Sequence, residues 1–301
     1  MTELSELILS KYQVRKTRKQ KTEFIELLKE HLSDHTVTIE SGGFTRSRNI
    51  VVGDVENAQF ILAAHYDTQP VLPFPNFLTP KNMLIYLLYI IFIFMFFFGI
   101  TLLVVLGARL LFQNTQIAGA LARLTLGLLL IGMLFGPANK HTANDNTSGV
   151  ITLIEAMHDP QIASRAAFVF FDQEELGLFG SAYFAKLHKE TMKNKLLINF
   201  DCVSDGDHLM FIFSKNAKQL KEQFQSAFPS TNEKKLSILM LLQHCIHLIR
   251  LILNNLLVLL LSTRTNGLDI IWTKSTLQKT RFLTKRTLII LSQESKSYCN
   301  K

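Results

Sequence analysis

The alternation of apolar and polar positions divides the chain into distinct textures. Between Glu3 and Leu32 the residues Leu4, Leu7, Ile8, Phe24, Ile25, Leu27 and Leu28 recur at roughly helical spacing among charges, which predicts one or two amphipathic helices packed on something larger. From Thr36 the texture changes to short β-type runs, VTI, NIVV and FILAA, punctuated by Ser-Gly-Gly and Gly-Asp and ending at His65. After Pro137 soluble texture resumes, with a turn at NDNTSG, a helix to about Met157, a strand AAFVFF, a turn at EELG, a helix to about Lys189 and a strand LLINF. Strands alternating with helices at this spacing predict a sheet with helices on its faces, an α/β domain.

Two apolar segments interrupt that domain. Met83 to Ala108 carries no charged residue, and Ile117 to Phe135 carries only Arg123. The first exceeds the roughly 20 residues that span a bilayer. In the second, an arginine at the centre of a span costs about 2.5 to 3.5 kcal/mol, but Arg123 lies nearer one end and can snorkel. A transmembrane helical hairpin is expected, with a buried core helix as the alternative. The connector from Arg109 to Gln116 is too short to be a domain, so the chain returns to the side it left.

Composition and charge sharpen this picture. The hydrophobic fraction of 48% is above the soluble norm. Cys202, Cys245 and Cys299 share no metal-type spacing and are odd in number, which argues against a disulfide framework and for a reducing setting. The N-terminus carries the basic run Lys11, Arg15, Lys16, Arg18 and Lys19 and no secretory h-region. The net charge of +8 invites a nucleic-acid partner, yet residues 1–233 hold 21 Lys+Arg against 22 Asp+Glu. All the basicity sits in residues 234–301, where 11 basic side chains face only Asp269 and Glu294. No nucleic-acid surface is therefore expected.

Candidate chemistry gathers where the strand-like runs end: His65 and Asp67 after FILAA, Glu174 and Glu175 after AFVFF, and Asp201 after LLINF, with Asp145 in the NDN turn. In open α/β sheets ligands bind at those carboxyl ends. One imidazole with several carboxylates suits zinc or a similar divalent ion. Adjacent side chains of an extended Glu174-Glu175 segment would point apart, one into a metal shell and one at the substrate. Asp67, two residues past His65, would accept the other imidazole N–H, or is a plain turn aspartate. His141 reads as a surface or interfacial histidine.

In this order AAHYDT, ANDNTSGV, FVFFDQEELGLFGS and INFD resemble the signature of metallopeptidase family 28, the dizinc aminopeptidases, over about Ile61 to Asp207. The resemblance implies a mixed central β-sheet flanked by helices, interrupted here by the hairpin. It implies two zinc ions and a peptide substrate hydrolysed from its N-terminus. His65 and Asp201 would bind one zinc, Asp145 would bridge, Glu175 would bind the second zinc, and Glu174 would be the general base. The domain plan that follows is 1–78 and 138–233 as the two parts of a peptidase domain, 79–137 as the hairpin in the lipid bilayer, and 234–301 as an anomalous tail. Positive-inside reasoning puts the catalytic domain on the cytoplasmic side. A glutaminyl-cyclase-like acyltransferase shares the fold and is an alternative. So is a membrane protein that keeps the fold without turnover, because the family's fifth ligand is a C-terminal histidine and no histidine follows His247.

That tail has two readings. LSILMLLQHCIHLIRLILNNLLVLLL is either a third membrane helix, made poor by His244, His247 and Arg250, or the product of a shifted reading frame. With suitable codons, Leu248 to Asn255 reads SDQANFKQ one nucleotide earlier, resembling the family's SDxxxF element. Trp272 to Thr280 likewise reads MDKIHTSKD, containing the IHTxxD element that supplies the missing histidine. The codons of Glu233-Lys234-Lys235 can form an adenine run, where one base is readily lost.

Overall fold

A computed structural model describes residues 1–71, 83–204, 208–214, 217, 220–227, 235–240 and 256–263. The chain divides into two compact units, Met1–Thr68 with Lys140–Lys301, and Gln69–Asn139. The inserted unit thus begins at Gln69, ahead of the apolar run that set the sequence-based boundary at 79.

The first unit opens with helices α1 (Glu3–Lys11) and α2 (Arg18–His31). Thr2 caps α1, and Thr17 with Gln20 forms a reciprocal capping box on α2, so each helix starts where a side-chain oxygen satisfies an orphan amide. Strands β1 (Val37–Gly42), β2 (Ser47–Val52) and β3 (Phe60–His65) follow. Beyond the insert come α5 (Ser148–Met157), α6 (Pro160–Ala163), β4 (Ala166–Phe171), α7 (Phe179–Leu187), β5 (Leu196–Asp201), β6 (His208–Phe213), α8 (Lys221–Ala227), β7 (Lys235–Met240) and β8 (Leu256–Thr263). The mixed eight-stranded sheet has the order β1-β2-β4-β3-β5-β8-β6-β7.

Its centre is the parallel trio β4-β3-β5, with His65 level with Phe171 and Ala63 level with Asn199. FILAA and AAFVFF are unbroken apolar runs because both faces of these strands are covered. On β3, Phe60, Leu62 and Ala64 enter a core shared with Ile8, Phe24, Leu28 and Leu153 of the flanking helices. Ile61 and Ala63 point the other way, into a core with Phe184 and Met192. Each large side chain buried in this way contributes roughly 1.5–3 kcal/mol. His65 continues the Ile61-Ala63 face by alternation.

The second unit is a helical hairpin of α3 (Met83–Phe112) and α4 (Thr115–Phe135). Tyr89, Ile93 and Phe97 pack with Leu129 and Met133 between the helices. The ends of the unit are tied together: Pro70 bridges Ala138, the Val71 amide donates to Pro137 O at 2.8 Å, and the Asn139 amide donates to Gln69 O at 3.0 Å. Both helices are long and apolar enough to cross a membrane, and only 11% and 6% of their apolar windows are buried, unlike a core helix. At about 1.5 Å per residue the 30 residues of α3 reach about 45 Å, beyond a hydrocarbon core of about 30 Å.

Of the tail, β7 and β8 are strands rather than parts of one continuous helix. β8 runs parallel to β5 and antiparallel to β6; an apolar run such as LLVLLL meets the demand of an interior strand position. The segments 248–255 and 272–280, which carry the alternate-frame elements, lie outside the described residues.

Candidate metal centre

Three adjacent parallel strands end at one level and deliver His65, the Glu174-Glu175 pair and Asp201 to the same edge of the sheet. His65 Nε2 lies 3.3 Å from Asp145 Oδ1 and 3.6 Å from Asp201 Oδ1. Possible ligand atoms of His65, Asp145 and Asp201 fall within 4.8 Å of one another, as do those of His65, Glu174 and Glu175. The imidazole is buried at 2% exposure, and Asp67 beside it at 3%.

Asp145 reaches the site from a π-type turn, Ala143–Thr147, in which Asp145 (φ −111°, ψ 97°) and Asn146 (φ −127°, ψ 42°) leave helical geometry and are joined by a cis peptide. The turn is stitched to the exit of β5. Asn146 Oδ1 accepts the amides of Gly149 (3.1 Å) and Cys202 (3.2 Å), while its Nδ2 donates to Phe200 O at 2.9 Å and His65 O at 3.4 Å. Ser148 Oγ accepts the Val203 amide and Asn144 Oδ1 accepts the Ser204 amide. Position 149 must be glycine, since a Cβ there would stand 2.5 Å from Phe200 O. Sequence reasoning read NDNTSG as a turn and missed that its two asparagines bind strand ends together. The dense Asn/Ser content was the available signal, because such side chains hydrogen-bond local backbone.

The glutamates occupy a turn rather than the extended segment that alternation suggested. Glu174 O accepts the amides of Gly177 (2.9 Å) and Leu178 (3.0 Å), and Gln173 just before it has φ +56°. Turn geometry, not strand pleat, therefore places the two carboxylates, which both reach the His65 cluster with ligand atoms within 4.8 Å of one another. The turn is anchored by Asp172, which is 2% exposed, pairs with buried Lys21 and accepts the Arg48 amide at 2.9 Å. Neither Lys21 nor Asp172 stood out in the sequence, as nothing local links residues so far apart.

Asp67 also departs from expectation. The neighbour of His65 Nδ1 is the Asp67 backbone carbonyl at 3.2 Å, with the carboxylate Oδ1 at 3.6 Å. Its carboxylate instead accepts the amides of Glu174 and Glu175. With Nδ1 facing a carbonyl, Nε2 is the nitrogen directed at Asp145 and Asp201, as a ligand nitrogen would be.

The electrostatics are those of a site crowded with acid. Burial pushes Glu174 up to about 8, against the pull of His65, with Asp201, Asp67 and Asp145 adding to the rise. Burial likewise pushes Glu175 up to about 10, and Asp145 is the main like charge beside it. Burial alone would lower the His65 imidazole, but Glu174, Asp145, Asp201 and Asp67 hold it well above the usual histidine range. Among the described residues, Asp201 Oδ1 is buried with no hydrogen-bond partner. An orphaned acceptor among packed carboxylates and one imidazole fits a divalent cation of the zinc type, which would neutralise the like charges and fill that acceptor's need.

Fold and donor set together define a mixed-sheet α/β protein with a His/Asp/Glu cluster that could hold a metal ion at the carboxyl ends of its strands. Residues 130–244 match the model of Peptidase family M28, so this stretch carries the sequence pattern of a family of peptide hydrolases. In three dimensions the chain is similar to a Zn-dependent exopeptidase from Parabacteroides distasonis, with a TM-score of 0.58, 15% identity and coverage of 95% of this chain and 94% of that one. It is similar to Porphyromonas gingivalis glutaminyl cyclase, with a TM-score of 0.57, 14% identity and coverage of 97% and 98%. It is also similar to the LapA aminopeptidase of Legionella pneumophila, with a TM-score of 0.54, 11% identity and coverage of 96% and 69%. At these identities the likeness is one of fold. No curated protein matches the chain by sequence.

Proposed function

We propose that this chain has the site plan of a membrane-anchored, zinc-dependent aminopeptidase. The observation that carries it is the convergence of Asp145 and Asp201 on His65 Nε2, at 3.3 and 3.6 Å, within a chain whose residues 130–244 match a peptidase family. His65, Asp145, Glu175 and Asp201 would hold the metal, with Asp145 the bridging carboxylate. Zinc held there, as two ions in this reading, would supply Lewis acidity and an activated water.

Glu174 then does the proton work. Its carboxyl stands within 4.8 Å of the possible ligand atoms of His65 and Glu175, close enough to a metal-activated water to accept its proton and return it. It takes the proton of the attacking water and passes it to the leaving amine. Asp67, fixed beneath the backbone of both glutamates, keeps that carboxylate in place. Closely packed acidic groups also suit a substrate that presents a free, cationic N-terminus.

The hairpin is proposed to lie in the bilayer. Two crossings would return the chain to the side it left, and the tie between the hairpin's ends at Pro70 and Ala138 supports that reading. Arg15 is fully buried, so the positive charges that favour the cytoplasmic side are Lys11, Lys16, Arg18 and Lys19 at the N-terminus.

Two other readings rest on specific observations. The cyclase-like fold fits about as well as the exopeptidase-like one, and fold does not decide function. The impaired-enzyme reading rests on the ligand count: among the described residues His65 alone supplies nitrogen to the cluster. Zinc content and hydrolysis of an aminoacyl-anilide by the purified, detergent-solubilised chain test all three. Zinc uptake with amine release supports the aminopeptidase. Cyclisation of a glutaminyl peptide without anilide hydrolysis would replace it with the acyltransferase. Zinc uptake without either activity would assign the fold-only role.

A further inference from the structure

We propose that Arg15 is a positioning residue of this metal centre, holding the exit of β3 and the Asp145 turn at a fixed separation; the inference rests on the zinc-site reading above. Arg15 is fully buried, at 0% exposure, although it belongs to a stretch whose other basic residues face water or its margin. Its Nε donates to Tyr66 O at 2.5 Å, one residue past His65 and one before Asp67. Both terminal nitrogens donate to Thr147 Oγ1 at 3.2 Å, two residues past Asp145. One of them also donates to Tyr12 O at 2.6 Å, and the Arg15 amide donates to Thr68 Oγ1 at 3.0 Å. The guanidinium lies over the Phe24 ring, 5.2 Å from its centroid. A second tie, from Thr142 Oγ1 to Gln13 O at 2.8 Å, joins the same N-terminal segment to the same turn.

The two segments that Arg15 joins are far apart in sequence; backbone pairing of 69–71 with 137–139 and the Asn146 Nδ2–His65 O bond bring them together, and Arg15 adds a tie at Tyr66 and Thr147. A planar fork with donors in several directions can span such acceptors, which a single ammonium cannot do. Burying this cation is unfavourable in itself: desolvation lowers its pKa to about 10, and the field of Asp67 offsets part of that. A buried charge with this many backbone and hydroxyl partners fixes geometry rather than adding net stability. The consequence reaches the site because Tyr66 and Thr68 flank Asp67, the residue that grips Glu174 and Glu175, while Thr147 sets the turn that presents Asp145.

The competing account is that Arg15 only anchors the N-terminal arm. Glu155 gives the control for that account, since it accepts from the Thr2 amide, Thr2 Oγ1 and Ser5 Oγ and fastens α1 to α5 away from the site. The test uses the full chain in detergent micelles as wild type, Arg15→Met, Arg15→Lys, Thr147→Val and Glu155→Gln, with folding followed by circular dichroism. Zinc affinity is measured by competition with a chromogenic chelator, and amide hydrogen exchange is followed over 65–68 and 142–149 in metal-free protein. Arg15→Met is expected to weaken zinc binding about tenfold or more, the scale seen when partners behind metal ligands are removed. Arg15→Lys is expected to give no rescue although it keeps the charge. Thr147→Val is expected to weaken binding less, and all three to speed exchange in both segments. Glu155→Gln should lower the melting temperature and leave zinc affinity unchanged.

Arg15 variants that bind zinc as tightly as a zinc-binding wild type overturn the proposal alone, and so does an equal loss in Glu155→Gln. A wild type that takes up no zinc overturns the metal assignment and this proposal with it. Should the Arg15 variants fail to fold, Thr147→Val decides: unchanged affinity and exchange in that variant overturn the proposal.

Discussion

Asp67 grips Glu174 through the backbone: Asp67 Oδ1 accepts the Glu174 amide at 3.0 Å, and Oδ2 accepts the amide of Glu175 at 3.2 Å. One carboxylate therefore seats both glutamates of the site. Burial would raise Asp67, but the neighbouring His65 imidazole, whose Nδ1 is 3.6 Å from Oδ1, with Lys21 and the Glu174 amide, holds it below the usual carboxylate range, so it stays ionised and able to accept from both amides. Asp67→Asn replaces one acceptor with a donor pointed at an amide N–H. Zinc affinity or anilide hydrolysis should drop roughly 10- to 100-fold, measured by chelator competition and initial rates; wild-type values in both would remove Asp67 from the machinery.

Glu174→Gln separates proton transfer from metal binding. The proposed ligands His65, Asp145, Glu175 and Asp201 are untouched, so bound zinc per chain should equal that of wild type. Removal of a general base lowers turnover by about 10²- to 10⁴-fold. Elemental analysis with steady-state kinetics checks both halves, and loss of zinc in this variant would instead make Glu174 a ligand.

The proposed embedding of α3 and α4 in lipid predicts the behaviour of the whole chain during extraction. Leu103, Leu110 and Leu111 are at least 70% exposed along α3, a surface that water does not tolerate in such quantity. Alkaline carbonate and high salt should leave the chain in the membrane pellet, and a mild detergent should release it. Appearance in the carbonate supernatant would count against the bilayer assignment.

His188 sets a pH dependence of stability away from the site. Its Nε2 is 2.8 Å from Glu40 Oε1 and its Nδ1 is 3.0 Å from Glu56 Oε1, joining the end of α7 to β1 and to the loop after β2. Burial would lower this imidazole, and the two carboxylates outweigh that and raise it above 6.5. Lys195, which donates to the carbonyls of Glu56 and Ala58, is the cation on the same side. A raised pKa means the folded state binds the proton more tightly than the unfolded chain. The contribution is thus fully present below about pH 6.5 and fades as pH rises through the folded value. His188→Gln should flatten the melting temperature above pH 6.5 relative to wild type; an unchanged slope would show that this cluster is not responsible.

The proposed shift of reading frame is settled by the gene. Codons around Leu248–Asn255 and Trp272–Thr280 that cannot encode SDQANF and IHT one nucleotide earlier would end the idea. If they can, restoring one base near Lys234-Lys235 should raise bound zinc per chain from below two to about two and bring anilide hydrolysis with it. β7 and β8 occupy the sheet as translated, so the restored chain is also expected to change the pairing at that side.

What the sequence determined by itself was the set of local decisions. Unbroken FILAA and AAFVFF imply strands covered on both faces, charge-free Met83 to Ala108 implies an apolar helix, and acidic or imidazole residues at run ends imply a site at the carboxyl edge of a sheet. Each follows from period, length and residue type within a short window. What tertiary structure alone decided was which distant groups meet. The pairing of Asp67 with the Glu174 and Glu175 amides, of Lys21 with Asp172, and of Arg15 with Tyr66 and Thr147 depends on β3, β4 and β5 lying side by side and on an N-terminal segment crossing beneath them. These are long-range hydrogen bonds and ion pairs made by ordinary polar residues, with no periodicity to announce them. Buried polar groups must find partners wherever the fold supplies them, and the adjacency of strands, not the order of residues, determines where that is.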